Sequence, residues 1–309
     1  MNSPRRELHK AIRAHSKRLM SEQHRRSVCR RLTKDLYDEL DHVNYKDLNQ
    51  SILHIIGSKG TGLISAKSDT DFVVELLEDG VVTALLELRE HLKKSNRKFK
   101  VILSLTQTRV PLLTVMHRKT QTPVDITFMC PSIRRDGAIK NTRLLRSYAE
   151  NDTKLREAFN FVKFLLGHKP IFSARTQGFS SYTWAILMIQ YVIKIRRIYI
   201  DPSDYEVYIL ENQKLGAAGL VVGFLNFVLE DLPYHDVDVL EIRPRVKRKA
   251  ARKPKIRDPY ERERYLDQYL NEHTWSTVLQ CAKNTRDALS TEPHLEVERV
   301  KNERSTQNK

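Results

Sequence analysis

Apolar residues follow two different periodicities along this chain. Between Ser51 and Cys130 they come in short runs bounded by Gly, Ser, Thr, Pro and Asp: ILHII at 52–56, DFVVELL at 71–77, KVILSL at 100–105, PLLTVM at 111–116 and PVDITF at 123–128. Runs of this length, rich in β-branched and aromatic residues, predict strands, with a helix near Val81 to Lys94 between the second and third. From Asn141 onward the spacing becomes three or four residues, as in Leu144, Leu145, Tyr148 and in Leu155, Phe159, Val162, Leu166, which predicts helices with one buried face. From Thr285 the apolar positions thin out among Asn, Gln, Glu and Lys, so 285–309 reads as a polar, disordered tail.

Two further segments need placing. Leu8, Ala11, Ile12, His15 and Leu19 fall at helical spacing with basic residues between them. They describe either a targeting helix or a helix of the folded protein. Leu215 to Leu229 is the longest near-continuous apolar run and includes Asn226. It falls short of the roughly 20 residues a membrane helix needs, so a buried helix is expected there, with no transmembrane segment or secretory signal.

Composition narrows the partners. The chain has 309 residues, enough for two domains, and its 54 Lys plus Arg against 38 Asp plus Glu give a formal charge of +16. Such an imbalance favours a polyanion: RNA, DNA or an acidic membrane. RPRVKRKAARKPKIR, from Arg243 to Arg257, holds nine basic residues and no acid. This run, with Lys247, Arg248 and Lys249 at its centre, reads as a phosphate-contacting loop or a nuclear-import signal. The three cysteines, Cys29, Cys130 and Cys281, are scattered without metal-ligand spacing, so neither a disulfide framework nor a zinc site is expected and a reducing compartment is the default.

The candidate chemistry lies in GSKGTGLISAKSDTD, from Gly57 to Asp71. On a strand, Asp69 and Asp71 point the same way across Thr70. Asp125, in PVDITF, supplies a third carboxylate from another strand. Gly57 lets backbone approach a phosphate, and Ser58 offers a hydroxyl and an N–H to it. An isolated Asp-x-Asp is ordinarily a pair of solvated acids. With the Gly-Ser turn and the third acid it suits two divalent cations, Mg²⁺ or Mn²⁺, held over a nucleoside triphosphate.

At these residues the chain resembles the nucleotidyltransferases of the DNA polymerase beta superfamily. The blocks TRVPLLTVMHRKTQTPVDITF (108–128), NTRLLRSYAENDTKLREAFNFVKFLL (141–166), GFSSYTWAILMIQYVI (178–193), LGAAGLVVGFLNFVL (215–229) and IRDPYERERYL (256–266) narrow the likeness to RNA-tailing poly(A) polymerases and terminal uridylyltransferases. They occur in that family's order. RRDGAIKN (134–141) is most similar to the compact uridylyltransferases of kinetoplastids.

The resemblance implies an α+β chain: a polymerase-beta-type palm with an N-terminal helix over 1–132, a mostly helical poly(A)-polymerase-associated domain over 133–284, and the tail. Asp69 and Asp71 would ligate both metals, and Asp125 the one that activates the attacking hydroxyl. Ser181 would touch the triphosphate and Tyr182 stack on the base, unless Tyr182 is a core aromatic. Asn141 would contact ribose and base edge, or cap the helix that follows it. Lys163 would bind the triphosphate tail, although a surface lysine would look the same in sequence. The family's second lysine, four residues later, is replaced by Gly167, with His168 and Lys169 as the nearest substitutes. Asp258 and Glu261 match the acids that hold a water against the uracil N3–H, while Arg264 stands where some members have His and Tyr265 where Asn is common. Arg109 would approach the RNA primer end or pair with a palm acid. The implied activity is transfer of UMP from UTP to the 3′ end of single-stranded RNA, with adenylate addition as the alternative within the enzyme class. A catalytically weak RNA-binding or assembly subunit is the alternative outside it. Protein partners in an RNA-processing complex and a mitochondrial or cytoplasmic location are further expectations of the likeness.

Overall fold

The computed structural model describes residues 4–20, 23–43, 45, 48, 50–63, 69–108, 110–132, 137–167, 169–173, 176–209, 215–241 and 251–291. The chain groups into two units, residues 19–143 and residues 1–18 with 144 onward.

In the first unit, helix α2 (Gln23–Asp41) leads to strand β1 (Ile52–Ile56), the short helix α3 (Gly57–Thr61), β2 (Thr70–Glu75), α4 (Val81–Ser95), β3 (Phe99–Leu105), β4 (Leu112–His117) and β5 (Thr122–Met129). The sheet order is β1-β2-β5-β4-β3. Its β2–β5 pair is parallel and the others antiparallel. Alternation along each strand divides the side chains between two faces. Phe72, Val74, Leu113, Val115, Val124 and Ile126 are fully buried with Leu32, Leu36 and Leu40 of α2 and Leu85, Leu88 and Leu92 of α4. The opposite face carries Asp71, Thr114 and Asp125. Every strand read from the sequence is present with ends displaced by a residue or two; β2 begins at Thr70, which leaves Asp69 just ahead of it.

The second unit comprises α1 (Pro4–Met20), the part of α5 (Gly137–Asn151) from Leu144, α6 (Thr153–Leu166), α7 (Ser181–Lys194), a two-residue hairpin β6–β7 (Tyr199–Ile200, Val207–Tyr208), α8 (Ala217–Asn226) and α9 (Glu272–Thr291). Leu8 and Ile12 of the N-terminal helix are buried, and the His15 ring lies 4.6 Å from Phe164 and 5.9 Å from Phe161 of α6. Periodicity identified the buried face of α1 but not the surface it meets.

Trp184 anchors the helical core, stacked on Phe172 at 5.5 Å and edge-on to Phe179 and Phe224. α8 runs on through a π turn (Phe227–Asp231) and a 3₁₀ turn (Leu232–Tyr234), giving an 18-residue apolar stretch, Ala217–Tyr234, that by length and composition alone would cross a bilayer. More than half of it is buried in the protein, with Leu220, Val221, Phe224 and Val228 wholly enclosed, so it is a core helix here. The tail read from residue 285 begins later: α9 continues to Thr291 with Thr285 and Leu289 buried, its polar residues lying between those positions. Residues 292–309 lie outside the described residues.

Candidate active site

In the palm, Asp71 and Asp125 are register partners on the parallel strands β2 and β5, so their carboxylates share the face opposite the apolar core. Thr114 on β4 is the register partner of Asp125 on its other side, and its Oγ1 donates to Asp125 Oδ1 at 2.7 Å. That bond orients Asp125 and leaves Oδ2 for another group. Asp69 is exposed at the entry to β2. Between the two acids Thr70 is fully buried and accepts a hydrogen bond from the Lys59 ammonium, which pins the Asp-x-Asp backbone.

The Gly-Ser turn folds as α3, with Gly57 at φ 63°. A Cβ at Gly57 would overlap the Asp71 carboxylate, so both the backbone conformation and the close approach require glycine. Gly57 N–H donates to Thr142 Oγ1 at 3.3 Å, and Thr142 in turn donates to Ala138 O at 2.8 Å. Gly60 is equally constrained: a Cβ there would lie 2.5 Å from the Ile55 carbonyl and 2.7 Å from Thr142 Cγ2. Ser58 is half-buried beside them. Asn141 lies in the second turn of α5, which begins at Gly137, so it is not a helix cap. It is buried, and its Oδ1 has no hydrogen-bond partner.

Among the described residues no three His, Cys, Asp or Glu side chains converge on one point. Mg²⁺ is ordinarily held by one or two carboxylates, with phosphate oxygens and water completing its shell. Two adjacent carboxylates with all-oxygen donors, and a third acid two residues away, fit a hard divalent cation of that kind.

In the helical unit, Lys163 on α6 is 7% exposed, which excludes a plain surface lysine. Gly167 closes that helix, its N–H donating to Lys163 O at 3.0 Å. His168 lies outside the described residues. Ser180 caps α7 by accepting from Thr183 N–H at 3.1 Å, so Ser181 and Tyr182 are its first two residues. The Tyr182 hydroxyl is buried against the Asp258 carboxylate; burial first, and then that carboxylate, push its pKa well above the usual phenol range.

Asp258 is fully buried. Its Oδ1 accepts from Tyr260 N–H at 3.0 Å and Glu261 N–H at 3.1 Å, and the loop is closed by Asp258 N–H to Arg264 O at 3.0 Å and Arg264 N–H to Glu261 O at 2.8 Å. Residues 258–264 therefore form a tight loop rather than a charged helix. Tyr260 fastens it by donating to Pro202 O at 2.9 Å. Arg264 Nη1 lies 3.6 Å from Asp258 Oδ2 and 3.9 Å from Glu261 Oε2. Arg264 Nε in this loop is buried without an acceptor. Orphans of this kind cost free energy unless a ligand or water satisfies them.

Arg109, Lys247, Arg248 and Lys249 lie outside the described residues. The described end of the basic run is partly structural: Lys253 Nζ donates to Leu270 O at 2.7 Å, Arg257 Nη2 donates to Tyr265 Oη at 2.9 Å, and Ile256 is buried. Thr114, Gly60 and the pairing of Arg264 could not be found from local pattern, since each depends on strand register or loop closure.

Residues 6–150 match the family described as poly(A) RNA polymerase, mitochondrial-like, central palm domain. Poly(A) RNA polymerase protein 1 of Saccharomyces cerevisiae is 25% identical over 214 residues, which is 68% of this chain and 29% of the relative's own length. The chain thus spans under a third of that relative. The structure of terminal uridylyl transferase 4 from Trypanosoma brucei with bound GTP has a TM-score of 0.71 at 17% identity, covering 96% of this chain and 100% of that one. Cid1 in complex with its short product ApU has a TM-score of 0.72 at 18% identity, covering 94% of each chain. At those identities the two structures establish the fold: a nucleotidyltransferase palm followed by a helical domain. With the palm match over residues 6–150 and the sequence relatives, this chain is similar to the poly(A) polymerases and terminal uridylyltransferases.

Proposed function

We propose that the protein transfers UMP from UTP to the 3′-hydroxyl of single-stranded RNA, releasing pyrophosphate. The observation that carries the chemistry is the pairing of Asp71 with Asp125 on one sheet face, beside a glycine that leaves the Asp71 carboxylate room. Asp69, Asp71 and Asp125 would hold the divalent cations. Bound there, Mg²⁺ or Mn²⁺ neutralises phosphate charge and lowers the pKa of the attacking hydroxyl.

The chain's own residues position the reactants. Thr114 holds one oxygen of Asp125, and the other would help take the proton of the 3′-hydroxyl. Gly57 and Ser58 would approach the phosphates through backbone N–H and hydroxyl. Ser181, at the start of α7, and Lys163 would meet the triphosphate, and Asn141, with an unsatisfied buried carbonyl oxygen, the ribose and base edge. Tyr182 would stack on the base. Fixing the two substrates in line supplies much of the rate in such a reaction.

Uridine is favoured because Asp258 and Glu261 are hydrogen-bond acceptors suited to the uracil N3–H. The net charge of +16 supports RNA as the second substrate, with Arg109, Lys247, Arg248 and Lys249 as phosphate contacts. Adenylate addition is the second reading, favoured by the likeness to a yeast poly(A) polymerase. The match to a mitochondrial-like family supports a mitochondrial rather than a cytoplasmic site of action. Incubating the protein with labelled single-stranded RNA and each NTP in turn, with Mg²⁺ or Mn²⁺, tests the proposal. Extension with UTP in preference is expected; preferential extension with ATP would replace it with the second reading, and no extension with any NTP would leave an RNA-binding subunit.

A further inference from the structure

In the palm, β3 closes one end of the five-stranded sheet, so one side of its backbone has no neighbouring strand. Edge strands of globular proteins are ordinarily short, charged or covered, because an open row of N–H and C=O groups accepts another strand. β3 is seven residues long and carries Ile102, Leu103 and Leu105 at 53%, 45% and 36% exposure. A bulge at Ile102 shifts its register. Past the bulge Leu103 pairs with Thr114 and Leu105 with Leu112, on the face of Asp125, whereas Ser104 pairs with the buried Leu113, on the face that α4 covers. On that second side a groove of about 410 Å³ runs between β3 and α4. Arg89 and Lys93 line it from α4, Lys100 and Ser104 from β3, and no acid is among its lining residues. Glu90, which pairs with both Arg89 and Lys93, offsets one of these three cations. The Ser104 hydroxyl oxygen is enclosed without a hydrogen-bond partner.

An open strand edge, exposed apolar side chains and a basic groove beside them specify a partner's chemistry. We propose that β3 docks an extended segment of another protein in which apolar and acidic residues alternate, added to the sheet as a sixth strand. Backbone hydrogen bonds along β3 supply affinity, and the two faces of the added strand supply specificity. Its carboxylates meet Arg89, Lys93 and the Ser104 hydroxyl on the α4 side, and its apolar residues meet Leu103 and Leu105 on the other. A second copy of this chain fits poorly, because pairing β3 with β3 sets the same cations of both copies against one another. RNA fits poorly as well, since a row of exposed aliphatic side chains offers its phosphates nothing. The groove lies on the side of the sheet away from Asp71 and Asp125, so a segment seated there tethers its protein to the palm without covering the acids.

The probe is a labelled, end-blocked octapeptide of alternating Val and Glu, titrated into the full chain and followed by fluorescence anisotropy. It is expected to bind, with affinity falling as salt is added, and with Val-Lys and Gly-Glu octapeptides each about tenfold or more weaker. Hydrogen exchange of the wild type should slow across residues 100–105 when the Val-Glu peptide is bound. Leu103→Asp, and Arg89→Glu combined with Lys93→Glu, should each lower peptide affinity by about tenfold or more while the melting temperature holds. No binding of the Val-Glu peptide, equal binding of all three peptides, or exchange slowed only outside β3 overturns the inference, and these are wild-type measurements that do not depend on a variant folding. Displacement of the peptide by single-stranded RNA assigns the groove to nucleic acid and overturns it. A dimer in sedimentation that Leu103→Asp dissolves assigns β3 to a second copy and overturns it too.

Discussion

Asp71 and Asp125 stand opposite one another on the parallel strands β2 and β5, with Thr114 bonded to the second of them from β4. Like charges in this arrangement repel when no cation is present, so function and stability should diverge on substitution. Asp71→Asn and Asp125→Asn are each expected to lower extension by about a hundredfold or more, comparable to removing a group that meets transition-state charge, while the melting temperature of the metal-free protein holds or rises. Thr114→Val, which keeps shape and removes the donor, should cost roughly tenfold in activity without unfolding. Steady-state extension assays and thermal melts with EDTA check both. Near-full activity of Asp125→Asn in Mg²⁺ would refute its assignment as a metal ligand.

Three glycines at the same turn should respond differently. Gly57 and Gly62 both have positive φ, 63° and 75°. A Cβ at Gly62 meets nothing within 4 Å, whereas at Gly57 it overlaps the Asp71 carboxylate. Gly62→Ala should cost about 1 kcal/mol from backbone conformation alone. Gly57→Ala should cost more, up to about 3 kcal/mol, and displace Asp71. Gly60→Ala, with ordinary φ but a carbonyl contact at 2.5 Å, should destabilise without touching the carboxylate. Denaturant unfolding ranks the three, and activity measured at low temperature separates Gly57 from Gly60.

Tyr182 divides stacking from hydrogen bonding. Tyr182→Phe keeps the ring and removes a hydroxyl that lies against the buried Asp258 carboxylate, so NTP affinity should change little while stability falls by about 1 kcal/mol. Tyr182→Ala should weaken all four NTPs alike, by about 1 to 3 kcal/mol. A base-dependent loss in Tyr182→Ala, read from nucleotide titrations, would contradict a stacking role.

Asp267 is buried, accepts from Ile256 N–H at 2.7 Å, and burial raises its pKa above the usual carboxylate value. A raised folded-state pKa means that the folded protein binds the proton more tightly than the unfolded chain. The associated stability is full below the unfolded pKa, about 3.9, and is lost as pH rises through the folded value. Asp267→Asn, which retains the acceptor, should therefore gain melting temperature relative to wild type at pH 7 and lose that advantage near the unfolded pKa, about 3.9. An advantage independent of pH would assign the effect to packing instead.

The basic run should split into two halves. Lys247→Ala, Arg248→Ala and Lys249→Ala are expected to weaken RNA binding for every sequence and to reduce the slope of log affinity against log salt by roughly 0.7 for each phosphate left without its cation. Lys253→Ala, which removes a bond to the Leu270 carbonyl, should instead lower thermal stability. Filter binding across salt concentrations and parallel melts distinguish the two.

How much of this was legible in the chain follows from what each feature depends on. Strand alternation and helical spacing are local, so the five palm strands, α4 and the apolar face of α6 could be read directly, and so could Asp71 and Asp125 as candidates. The family's motif order carried the reading further, to Tyr182, Asp258 and Glu261. Other features depended on partners distant in sequence. Asp71 faces Asp125 because β2 and β5 pair parallel in a single unbroken register, from Thr70↔Val124 to Glu75↔Met129. Thr114 becomes a partner of Asp125 through the equivalent register between β4 and β5. α1 joined the helical unit because its Leu8, Ile12 and His15 face found the aromatic surface of α6, and α9 extended past residue 285 because two buried positions, Thr285 and Leu289, outweighed its polar composition. Arg264 was visible as a departure from pattern. Its place between Asp258 and Glu261 came from two backbone hydrogen bonds that close the loop, a relation set by tertiary structure and absent from any local periodicity.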